Sequence, residues 1–147
     1  KFAREYPGAW PLILSIAPEY SKHPGIIFSP QLSVTEISVL LAHCGAFCFP
    51  SLYEGFGRPP MEAALSERVL LVSDIAPLRE ALEFIPGGEK TFLPPKNTDA
   101  WIKAFSSTMN GGKKAVSPAS AEKIAKNYSI ENLITTMDKA YQRAMRF

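Results

Sequence analysis

Short, uninterrupted apolar runs, separated by stretches of helical spacing, constrain this chain more than any other feature. Residues 11–17 (PLILSIA), 26–29 (IIFS), 46–50 (AFCFP) and 69–73 (VLLVS) are bounded by turn or polar signals. They lack the polar alternation of a half-exposed strand, so each reads as a strand covered on both faces. A further short strand is predicted at 91–93. Strands that alternate with helices at this spacing build βαβ units, hence a parallel sheet with helices on both sides. The expected fold is therefore α/β, a Rossmann-like parallel sheet flanked by helices. No internal repeat or low-complexity tract interrupts the pattern.

The helices carry their own signals. Ser33 and Glu36 fit a capping box ahead of a helix over 33–43, with Ile37, Leu40, Leu41 and Cys44 on one side and Gly45 at its end. Pro59 and Pro60 open a second helix that runs to about Ser66, since proline is tolerated where first-turn amides have no intrahelical partner. A short helix is expected over 77–83, after Asp74. Another is expected over 99–109, with Trp101, Ile102 and Phe105 on one face. Residues 85–90 and 110–118 read as Gly/Pro-containing turns. A weaker helix follows over 119–127. Ser129 then caps a last helix with a stripe of Ile130, Leu133, Ile134, Met137 and Tyr141. Residues 1–6 resemble the tail of a helix that starts earlier.

Composition excludes several classes of protein. A net charge of +2 on 147 residues gives neither a basic nucleic-acid-binding face nor an acidic tail. Two cysteines cannot staple a small secreted scaffold. The longest apolar stretch, 39–50, is interrupted by His43 and Gly45 and is too short to cross a bilayer. The length corresponds to about one domain. The chain opens without Met or a signal peptide, and so it reads as a piece of something larger.

Ligands of open α/β sheets bind beyond the carboxyl ends of the strands. The stretch to interrogate is 50–62, PSLYEGFGRPPME, which leaves a strand, passes two glycines and enters a helix. Gly55 and Gly57 let backbone amides approach a ligand closely. The helix start offers free amides and a positive dipole end suited to a phosphate. Pro60 has no amide, so the expected donors are Met61 and Glu62, with Gly57 or Arg58 in reserve. Arg58 adds positive charge. Glu54 and Glu62 can each accept the paired hydroxyls of a sugar or ribose. A lone G-x-G is more commonly just a tight turn, and the strand–glycine–helix context with two glutamates is what favours a site.

Residues 51–62 (SLYEGFGRPPME) resemble the E-x7-E signature of family 4 glycosyltransferases, which are retaining, nucleotide-sugar-dependent and built on the GT-B fold. The resemblance extends over Ala63, Ala64, Leu65 and 69–80, upstream over 26–29 and 32–44, and downstream over 128–144. It implies a carboxy-terminal donor-binding half of a two-domain enzyme that moves a hexose from a nucleotide diphosphate sugar to a polysaccharide or lipid-linked glycan. Glu54 would contact the transferred sugar and act catalytically. Gly55, Phe56 and Gly57, with Arg58, Pro60 and Met61, would lie along the donor. Glu62 would bind the ribose, and Phe28 and Ser29 would lie by the base. No metal and no other cofactor is implied. The partners would be the nucleotide sugar and, through another domain, the acceptor, but not nucleic acid. The full protein would be cytoplasmic, at the inner face of the membrane or peripheral to it. The resemblance also departs from the family. Ser66, Glu67 and Arg68 stand where a glycine-containing turn is usual. The basic Arg/Lys pair that neutralises the diphosphate would precede Lys1, together with the domain's first strand and the amino-terminal acceptor domain. The 147 residues alone are thus expected to bind nucleotide weakly and not to catalyse transfer. A sugar-nucleotide 2-epimerase of the same fold and a non-catalytic nucleotide- or glycan-binding module are the competing readings.

Other chemically capable residues fit structural roles better. His43 sits late in a helix, where the dipole favours a cation, and His23 reads as a loop residue. Cys44 and Cys48 lack the neighbours of a zinc site and read as buried thiols. The aspartates Asp74, Asp99 and Asp138 are too far apart for a D-x-D metal motif. Asp74 is expected to cap a helix or to face the ligand. Asn127-Tyr128-Ser129 matches a glycosylation sequon, but Ser129 is needed as a cap. Lys139, Arg143 and Arg146 form a basic edge of solvated charges.

Overall fold

A computed structural model describes residues 12–14, 26–29 and 32–145 of the chain. Strands β1 (Leu12–Leu14) and β2 (Ile26–Phe28) form a parallel pair, with Leu12 opposite Ile26 and Leu14 opposite Phe28. A separate parallel sheet holds β3 (Ala46–Phe49), β4 (Val69–Ser73) and β5 (Lys90–Leu93), in that order. The helices are α1 (Val34–His43), α2 (Arg58–Leu65), α3 (Ala76–Ala81), α4 (Thr98–Met109), α5 (Pro118–Asn127) and α6 (Ile130–Ala144). The expected alternation and parallel pairing are both present. The expected helix tail over 1–6, His23 and Arg146 lie outside the described residues, as do parts of the run 11–17.

The continuous apolar run of β4 reflects its place as the central strand, where all five residues are buried. Side chains alternate across a strand, so Leu70 and Val72 face one way and Val69 and Leu71 the other. The first pair packs with Leu41 of α1, Met61, Ala63 and Ala64 of α2, Leu78 and Ala81 of α3, and Ala121 and Ile124 of α5. The second pair packs with Leu93, Trp101 and Ala104, so α4 covers the opposite face. Trp101 is buried without a polar penalty because its indole Nε1–H donates to the Pro94 carbonyl at 3.0 Å.

Local capping agrees with the sequence in two helices, and Ser117 adds a cap that was not expected. The Glu36 amide donates to Ser33 Oγ at 3.3 Å, and the Ser33 amide donates to Glu36 Oε2 at 2.8 Å, closing the capping box of α1. The Ser33 hydroxyl also donates to Glu36 Oε2 at 2.6 Å, and this bond first, with the Ser33 amide's second, holds the Glu36 carboxyl below its usual pKa range. Ser117 accepts from the Ser120 amide at the start of α5, and Ser129 from the Asn132 amide at the start of α6. Of the two expectations for Asp74, the helix cap is not realised. The residue before α3 is Ile75, with no side-chain cap, and Asp74 instead pairs bidentately with Arg79 at 2.5 and 2.8 Å. A planar guanidinium offers a carboxylate two charge-assisted bonds, where a helix amide offers one neutral bond.

The stripe of α6 is not covered. Ile130, Leu133, Ile134, Met137 and Tyr141 are all exposed, and no residue of the helix is buried. The stripe of α1 is only partly used, since Leu41 is buried but Ile37 is exposed.

Candidate functional site

Because β3, β4 and β5 are parallel, their carboxyl ends share one edge of the sheet. The loop of residues 50–57 leaves that edge from β3 and enters α2. Asp74 follows β4 on the same edge, and residues 94–99 follow β5. An open cleft of about 1080 Å³ lies here, walled by Leu52 and residues 94–99 rather than by the two glutamates.

The loop turns at Gly57. Its φ of +93° is left-handed, and it serves as the N-cap of α2 without a side-chain cap bond. A Cβ at this position would collide with Leu78 Cδ2 of α3. Both constraints restrict the position to glycine. Gly55 is different, because a Cβ there would meet nothing within 4 Å. The backbone at Gly55 therefore faces open space.

Glu54 is half-buried, and its Oε1 lies 2.9 Å from Ser51 Oγ. The same hydroxyl lies 2.8 Å from the Tyr53 carbonyl. A hydroxyl has one proton to donate, so Ser51 orients Glu54 without saturating it. Glu54 Oε2 has no partner among the described residues and can accept from a ligand hydroxyl. Glu62 lies one turn into α2, exposed and without a side-chain partner among the described residues. Arg58, the first residue of α2, is also exposed.

The helix start bears on which amides are open to a ligand. In a helix that begins at Arg58, the Glu62 amide is already within the intrahelical ladder, four residues after the Arg58 carbonyl. Pro59 and Pro60 have no amide. Arg58 N–H is therefore an open first-turn donor, together with the loop amides before it. Pro60 and Met61 point their side chains into the core instead of along the edge. Phe28 ends β2, which belongs to the other sheet, Ser29 follows it, and no hydrogen bond among the described residues ties them to the 50–57 loop.

Phe56 makes a distant contact. Its ring meets Tyr128 edge-to-face, with centroids 5.4 Å apart at 72°. Tyr128 also meets Phe84 at 6.1 Å and donates its hydroxyl to the Ala81 carbonyl at 3.3 Å. Sequence reasoning missed three residues that shape this loop: Ser51, Leu78 and Tyr128. Ser51 was findable, because S-x-x-E repeats the spacing that gave the capping box at Ser33. Leu78 and Tyr128 are distant in sequence and carry no local signal.

The remaining candidates are structural. His43 Nδ1 lies 2.8 Å from the Val39 carbonyl within its own helix. Burial pushes the Cys48 thiol up to about 12 and raises that of Cys44 as well, so neither supplies thiolate near neutrality. Among the described residues, no three His, Cys, Asp or Glu side chains converge as a metal site would require.

Parallel strands, helices on both faces and a glycine-turned loop at the carboxyl edge define a Rossmann-like α/β domain. The chain belongs to the glycosyl transferases group 1 family, whose sequence profile matches residues 14–133. It is 31% identical over 80 residues to the O-antigen chain mannosyltransferase RfbU of Salmonella typhimurium, a match covering 54% of this chain and 22% of that protein. It is 38% identical over 71 residues to a serotype-specific mannosyltransferase WbdA of Escherichia coli, covering 48% of this chain and 9% of that one. The matched stretches are thus a minor part of each relative's length. No solved structure matches the chain significantly.

Proposed function

We propose that this chain is the donor-binding, carboxy-terminal domain of a retaining glycosyltransferase that moves a hexose from a nucleotide diphosphate sugar to a glycan or lipid-linked acceptor. The observation that carries the reading is the loop itself. Among the described residues, Glu54 keeps a free carboxylate oxygen and Glu62 stands unpaired one turn into α2, before and after the open backbone at Gly55 in the chain. Glu54 would accept from the transferred sugar and Glu62 from the ribose. As the glycosidic bond breaks, negative charge grows on the leaving diphosphate. Fixed amides, the α2 dipole and Arg58 are suited to stabilise it without a metal. The retaining outcome rests on the E-x7-E resemblance. Mannose is the hexose we favour, because the relatives above are mannosyltransferases, and assembly of a surface polysaccharide is the process that fits them. No helix among the described residues is long and apolar enough to cross a membrane. From the resemblance, not from that absence, we propose a cytoplasmic location for the full protein, with the inner face of the membrane as the alternative.

Calorimetric titration of UDP, GDP and ADP into the wild-type chain and Glu62→Ala tests the ribose role. Removing a charged acceptor of two hydroxyl donors is expected to weaken the preferred nucleotide by roughly tenfold or more. Equal affinity in the two proteins would end the assignment. Acceptor binding is assigned to another domain, so sugar transfer by the purified 147 residues alone would overturn that part.

A further inference from the structure

We propose that Tyr128 is a positioning residue for the donor loop, acting through Phe56; this deepens the donor-binding reading and rests on it. Gly55 has open space around it and Gly57 has no side chain. Phe56 is therefore the one side chain within the Gly55–Gly57 segment at the end of the loop; the residue is 41% exposed and its ring packs against Tyr128.

Tyr128 is itself fixed from several directions. Its amide donates to the Ile124 carbonyl at 3.0 Å, closing α5. The next residue, Ser129, caps α6, and Asn132 Nδ2 reaches back to the Asn127 carbonyl at 2.7 Å. Its ring edge meets Phe84, and its hydroxyl bonds Ala81 at the end of α3. The same helix α3 supplies Leu78, which packs over Gly57. The loop is thus gripped at two successive residues, Phe56 by Tyr128 and Gly57 by α3. The peptide groups in that grip are those assigned to the sugar and phosphates. Burial, with Glu83 and Glu80, raises the Tyr128 pKa, so the hydroxyl stays a donor throughout the neutral range. A loop ordered in advance does not lose that freedom on binding, and the saving appears as affinity.

The test is a double-mutant cycle on nucleotide affinity with Tyr128→Ala, Phe56→Ala and the double variant, alongside Tyr128→Phe and Glu62→Ala. The probes are UDP, GDP and ADP. In the ligand-free proteins, backbone ¹⁵N order parameters at Phe56 and Gly57 are measured as well. Tyr128→Ala and Phe56→Ala are each expected to weaken the preferred nucleotide about three- to tenfold, the double variant no further, and Tyr128→Phe less than about twofold. The order parameters should fall in Tyr128→Ala and hold in Tyr128→Phe. Independent losses that multiply in the double variant would overturn the proposal. So would unchanged affinity and loop order in Tyr128→Ala. If Tyr128→Ala does not fold, Phe56→Ala, which removes the same contact from the exposed side, decides by the same readings. Failure of the donor reading looks different. There, Glu62→Ala binds like wild type, or wild type binds no nucleotide, and the order parameters still decide whether Tyr128 holds the loop.

Discussion

A methyl group added at Gly57 has nowhere to go, whereas one added two residues earlier meets only solvent. Gly57 combines a left-handed φ with Leu78 packed against its α-carbon, while Gly55 has neither constraint. Gly57→Ala should therefore cost about 2 kcal/mol or more, read as a fall in denaturation midpoint. Gly55→Ala should leave the midpoint within about 0.5 kcal/mol of wild type. In the donor-binding reading, Gly55→Ala should still weaken nucleotide binding, because its Cβ projects where a ligand would lie. Loss of stability at Gly55, or tolerance at Gly57, would contradict this division. The sequence marked both glycines as one motif. Their separate roles depend on a leucine from a later helix, which no local pattern reveals.

The end of α2 is decided by backbone geometry in spite of its residue type. Glu67 has a φ of +59°, the only positive value on a non-glycine residue among those described. The Arg68 amide donates to Ala63 and the Glu67 amide to Ala64, which makes a Schellman motif with Glu67 at its left-handed position. The turn where the resemblance led to the expectation of a glycine is thus made here without one. Arg68 secures it by donating Nε–H to the Ser66 carbonyl at 2.6 Å and a guanidinium N–H to the Cys44 carbonyl at 3.3 Å. Glu67→Gly relieves the strained φ and should stabilise the fold by about 1 kcal/mol in chemical denaturation, net of glycine's entropy in the unfolded chain. A destabilised Glu67→Gly would show that the glutamate side chain contributes more than its backbone costs. Other elements were readable from local chemistry. The capping box of α1, the cap Ser129 and the buried strand β4 needed only neighbours in sequence. The cap assigned to Asp74 failed because Arg79, one helical turn into α3, competes for its carboxylate with stronger bonds.

For the molecule as a whole, apolar patterning alone does not distinguish the core from an uncovered face. Leu70 is fully buried between α2, α3 and α5, whereas Leu133 is 56% exposed on α6. Leu70→Ala should cost about 2–5 kcal/mol. Leu133→Gln should change stability by less than about 0.5 kcal/mol, since leucine and glutamine have similar helix propensities. Thermal denaturation of the two variants checks this, and a large loss at Leu133 would mean that α6 packs its stripe in solution. The sequence by itself determined the class of fold, the order of its elements and the loop that bears the glutamates. Strand burial, helix caps and glycine turns are written in contiguous residues. The tertiary structure alone decided the rest. It separated β1–β2 from β3–β4–β5, turned Pro60 and Met61 into the core, left the α6 stripe open and set Tyr128 against Phe56. Each of these depends on which surfaces meet across long sequence separations, and a local pattern of apolar and polar residues carries no record of its distant partner.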